Sequence, residues 1–88
     1  MARMDISTET VELGAQMGAP DALFELGMLY ATGRDVAADL VVAHKWFNLA
    51  ALKGRADAIS LRREVAEMMS DAEIATAQRE ARAWMTAH

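Results

Sequence analysis

The chain contains no cysteine, so no disulfide can brace it and no thiolate can bind metal or attack a substrate. One proline and five glycines in 88 residues leave few of the turn signals that a sheet sandwich needs. Aromatic residues are scarce at 6%, although 53% of the chain is hydrophobic. The apolar mass is therefore alanine, leucine and methionine, a composition that favours helix. Seven methionines make such a core adaptable rather than sharply specified. No uninterrupted apolar run is longer than Leu40 to Ala43, far short of the roughly 20 residues a membrane helix needs. Met1 to Thr10 hold no apolar run after Arg3, so no secretory signal is visible and the expected location is the cytoplasm. A chain this short buries only about 60% of the surface its unfolded form exposes, so it must gather its apolar residues efficiently or lean on a partner.

Positive charge is also in short supply. Residues 1–51 carry three basic side chains against seven acidic ones, and residues 52–88 balance six against six. A surface built for phosphate backbones has the opposite sign, so no nucleic-acid partner is expected.

What the chain does contain is an internal period. Gly14-Ala15-Gln16-Met17-Gly18 followed by Asp21-Ala22 lines up, 36 residues on, with Ala50-Ala51-Leu52-Lys53-Gly54 followed by Asp57-Ala58. A half-period lies inside it, because Asp21, Asp39 and Asp57 are each 18 residues apart. A carboxylate in a first turn meets the positive end of the helix dipole and its unpaired amides, so each step reads as one helix plus one turn. Five helices follow. The first runs from about Thr8 to Met17, capped by Ser7 and stopped at Gly18. Pro20, suited to a first helical position, opens the second, which reaches Ala31. The third begins near Asp39 and stops at Lys53-Gly54, and the fourth runs from near Ala56 to Met69. Ser70-Asp71-Ala72-Glu73 is a capping box that opens a fifth helix extending nearly to the C-terminus.

Apolar patterning predicts how these helices pack. The third, with Leu40, Val41, Val42, Ala43, Trp46, Phe47, Leu49, Ala50, Ala51 and Leu52, is apolar over too wide an arc for a surface helix, so it belongs between neighbours. The fourth and fifth each carry one stripe. Small residues at Ala22, Gly27, Ala43, Ala50 and Ala58 allow close approach of the axes. The expected fold is all-α, an antiparallel stack of about five helices.

Ala22, Leu26-Gly27, Tyr30, Gly33, Val36, Asp39, Ala43, Trp46, Ala50-Ala51, Gly54 and Ala58 stand in the order and spacing of a known pattern. Over residues 22–58 the chain resembles a Sel-one-like repeat, the short helical repeat related to the tetratricopeptide repeat. On that likeness residues 1–88 form a single domain. Residues 7–18 are the second helix of a degenerate repeat, 20–54 one complete repeat, and 55–88 a C-terminal helical hairpin acting as a cap. Two positions depart from the pattern. Asp35 stands where the family has a second loop glycine, which aspartate can replace at some cost if positive φ is needed. After Ala58 the leucine-glycine and tyrosine are lost, in keeping with a terminal cap that has traded repeat identity for solubility.

The resemblance implies a short α-α superhelix, or solenoid, that works as a non-enzymatic adaptor or scaffold and binds a protein or peptide along a concave face formed mainly by the second and fourth helices. Helical period then gives Phe24, Glu25, Met28, Ser60, Arg63, Glu64 and Glu67 as the candidate partner-binding face. A structural alternative is self-association, because about three repeats are normally needed for a stable stack and Val11, Leu13 and Met17 leave an open edge on the first helix. A third reading is a DNA-binding helix-turn-helix around Ser70, with Arg62, Arg63, Arg79 and Arg82 on phosphates. Against it, acids are interleaved throughout, and the recognition helix opens with two of them where it would meet DNA.

Residues that suggest chemistry have simpler roles. His44 and His88, with no cysteine and no partner at ligand spacing, make no metal set, and His44 beside Lys45 reads as solvent-facing. Tyr30 and Asp39 read as helix packing and a helix start rather than as acid and base. Trp46 reads as core. Trp84, with no later helix to cover it, either caps the core or meets a partner. No nucleophile, base or metal constellation appears, so neither enzyme activity nor a cofactor is expected.

Overall fold

The computed structural model describes the backbone of residues 8–87 and the side chains of residues 9–87. Ser7 and His88 lie outside the described residues. Five helices follow in order: α1 (Thr8–Gln16), α2 (Pro20–Thr32), α3 (Leu40–Leu52), α4 (Ala58–Ala66) and α5 (Asp71–Ala87). No strand occurs among the described residues.

Local chemistry sets most of the boundaries. Pro20 opens α2, whose end is fixed by Gly33 at φ 75° with its N–H donating to the Leu29 carbonyl, a left-handed stop that glycine takes without Cβ strain. Asp35 is also left-handed, at φ 66°, a positive φ that aspartate adopts at some cost. Asp39 caps α3, its Oδ1 accepting from the Val42 N–H at 3.2 Å. The capping box of α5 is complete, with the Ser70 N–H donating to Glu73 Oε1 at 2.8 Å and the Glu73 N–H donating to Ser70 Oγ at 3.1 Å. The α4 helix is shorter than its pattern suggests. Residues 67–69 instead make tight turns, with Met68 and Met69 donating to the carbonyls three residues back as the chain swings towards Ser70.

The α3 helix is central: α2, α4 and α5 pack against it, and α1 packs against α2. The interlock between α2 and α3 is closest at Gly27, where an added Cβ would lie 2.5 Å from the Phe47 ring. Leu23, Leu26, Leu49 and Phe47 are the largest fully buried side chains. Ala58 on α4, and Ala77 and Ala81 on α5, are buried, so small side chains line these helices where they meet the core.

Three expectations are corrected. Trp46 is only partly buried, and the neighbouring Phe47, 1% exposed, takes the central position. His44 is 3% exposed rather than solvent-facing, because α3 is covered on several sides. Val11 is buried with Ala15 against α2, which leaves Leu13 and Met17, 60% and 79% exposed, as the open edge of α1. Trp84 is partly buried and packs against the core, its ring meeting Trp46 edge-on at 6.1 Å and 83°.

Candidate functional site

The candidate face falls into two parts. Phe24, Glu25 and Met28 lie on α2 and are each partly buried, whereas Ser60, Arg63 and Glu64 on α4 are exposed and Glu67 stands just beyond the end of α4. Phe24 is therefore not solvent-facing. Its ring packs against Phe47 with centroids 5.7 Å apart, and the Arg55 guanidinium lies 3.9 Å from its centroid. The Ser60 hydroxyl is turned back to the Asp57 carbonyl at 3.1 Å.

Around the first part the structure gathers further residues, among them Arg55, which no sequence pattern singles out. A cleft of about 430 Å³ opens between α1, α2 and the segment after α3, lined by Thr10, Val11, Asp21, Ala22, Phe24, Glu25 and Arg55. Arg55 organises it. Its Nε and Nη2 donate to the two Asp57 oxygens at 2.7 and 3.2 Å, and its Nη1 donates to Asp21 at 2.8 Å. The Asp57 hydrogen bond is the main cause that raises the Arg55 pKa, and the same bond is the main cause that lowers that of Asp57. Asp57 consequently makes no side-chain cap on α4. Asp21 and Asp57, equivalent positions of the 36-residue period, thus meet on one arginine. At the rim Glu25 accepts from Arg34 at 3.4 Å.

A second groove, of about 280 Å³, is lined by Glu12, Ala15, Gln16, Leu26, Trp46 and Trp84. Lys45 Nζ stands 4.3 Å from the Trp46 ring centroid. The Trp46 Nε1 is buried without a hydrogen-bond partner.

Among the described residues His44 is the buried polar side chain. Its Nδ1 has no hydrogen-bond partner, and burial first, then the nearby Arg62 charge, lowers its pKa from the usual 6.5. Arg62 itself is held by α3, donating to Asn48 Oδ1 at 2.6 Å. Below about pH 6.5 the unfolded histidine takes a proton that the folded one resists, so the unfolded state is favoured. Stability is expected to be level above about pH 7.5 and to fall as pH drops through about 6.5, until the lowered folded value is passed. Denaturant midpoints across this range check it, and His44→Leu should flatten the slope.

Among the described residues no group of three or more His, Asp or Glu side chains could hold a metal ion, and no helix is long and apolar enough to cross a membrane. No family model, curated protein or solved structure matches the chain.

Proposed function

We propose that this chain is a Sel-one-like helical-repeat module, a short solenoid that binds a protein or peptide and performs no catalysis. The observation that carries the reading is the α2 cleft. An aromatic floor, Phe24, stands beside a guanidinium fixed by two carboxylates, with Glu25 on the rim. Phe24 and Arg55 are already held by core packing and ion pairs, so little side-chain freedom is lost when a partner covers them. Asp21 and Glu25 give the cleft an acidic rim that suits a partner segment carrying a basic side chain beside an apolar one.

The repeat reading has its own support in the residues it names. Leu26, Ala43, Ala50 and Ala58 are buried, Gly27 leaves no room for a Cβ against the Phe47 ring, and Gly33 and Asp39 end and begin helices. A stack of helix pairs accounts for each of these features with one unit.

The test is co-purification from the native source with the wild-type chain and a Glu25→Arg variant, after nuclease treatment. Glu25 makes only a surface ion pair, so thermal stability should hardly change. A protein recovered by the wild type and reduced about tenfold by the variant, equivalent to about 1.4 kcal/mol, supports the α2 face. Equal recovery by both excludes it.

A further inference from the structure

An acidic patch on α1 and a basic patch on α5 are both exposed. On α1, Val11 and Ala15 turn inward and leave Glu9, Glu12 and Leu13 exposed, with Met17 exposed just past its end. This is an acidic edge beside an apolar one, and α1 contains no basic residue. On α5, Ala77 and Ala81 turn inward. Its far side, half a helical turn round, exposes Arg79, Arg82 and the small Ala83, while Glu73 and Glu80 stand on the flank. Glu9 and Glu12 are three residues apart, as are Arg79 and Arg82, so each pair spans one turn of its helix. None of the four forms an ion pair with a described residue, and Arg79 donates only to Thr76 on its own helix, at 3.1 Å.

We propose that the partner of these faces is a second copy of this chain, docked head to tail, with α1 of one copy on the outer face of α5 of the next. Glu9 and Glu12 meet Arg79 and Arg82, and Leu13 and Met17 cover the low ground around Ala83. The contact joins two different surfaces, so each added copy leaves the same two faces free at the ends and the assembly grows beyond a dimer. One nine-residue helix makes a contact below the size of a standard interface, so association is weak and needs concentrated protein. Screening weakens it further, because the four charges are exposed. Neither the α2 cleft nor the repeat pattern takes part in this contact, which stands or falls separately from them.

Light scattering at low ionic strength, from micromolar to millimolar protein, tests it. The wild type should rise in average mass past the dimer, and high salt should reverse the rise. Glu9→Lys/Glu12→Lys and Arg79→Glu/Arg82→Glu should each stay monomeric, since each variant then presents like charges on both faces. Mixing the two reversed variants should restore growth, because acidic α1 again meets basic α5 and basic α1 meets acidic α5. Leu13→Ser/Met17→Ser, which leaves the charges in place, should also stay monomeric. A wild type that is monomeric throughout, a closed dimer, or reversed variants that associate like the wild type would each overturn the proposal.

Discussion

Phe47→Ala is expected to lower the unfolding free energy by about 3–5 kcal/mol, as truncation of a buried phenylalanine does. Phe47 is 1% exposed and lies under both Gly27 of α2 and the Phe24 ring, so its loss leaves a cavity between α2 and α3 that neither side can fill. At typical stabilities per residue, 88 residues give a total of about 4–13 kcal/mol, and the variant approaches the limit of folding. Trp46→Ala should cost less, because that ring is partly exposed and meets Trp84 through an edge contact. Denaturant unfolding with a shared slope m reads both changes. A Trp46 variant less stable than the Phe47 variant would invert the assignment of the core.

Gly27→Ala should destabilise the chain, against the usual direction. Within a helix, alanine is favoured over glycine by about 1 kcal/mol, and at an exposed site that gain would appear as added stability. Here the new methyl would meet two Phe47 ring carbons at 2.5 Å, well inside van der Waals contact. The helices must separate or the ring must leave its rotamer, at a cost of about 1–3 kcal/mol. The net expectation is a loss of up to about 2 kcal/mol by denaturant midpoint. A raised midpoint would mean that α2 and α3 are further apart at this crossing than the Gly27–Phe47 contact requires.

These residues also show where the sequence was legible. Helix boundaries fixed by contacts three or four residues apart, such as Ser70 with Glu73 and Asp39 with Val42, are written locally and could be read. Asp57 stands at an equally suitable position but is taken by Arg55, which also reaches Asp21 at a separation of 34 residues. No local pattern carries that choice, so the organiser of the cleft was missed. Trp46 and Phe47 are adjacent and both apolar on a helix that is apolar over most of its surface, so periodicity alone could not settle which of them faces the core. The same breadth concealed His44, whose burial depends on how α4 and α5 close over α3. On the binding face, Phe24 and Glu25 do line the cleft, but the depth of Phe24 follows from Arg55 lying over it. Solvent exposure of Arg63 and Glu64 followed from period, as the outer side of α4 carries no further helix.

The central claim is that Gly27 and Phe47 close the α2–α3 helix pair, and that the cleft stands on that pair. A double-mutant cycle tests it most directly, comparing the unfolding free energies of wild type, Gly27→Ala, Phe47→Leu and the double variant. With the ring gone, the methyl at residue 27 has room and its helix preference emerges. The predicted result is that Gly27→Ala destabilises the wild type but is neutral or stabilising in the Phe47→Leu background, a coupling of about 1–3 kcal/mol. Additive changes would contradict the account, since Gly27 and Phe47 would then not be in contact.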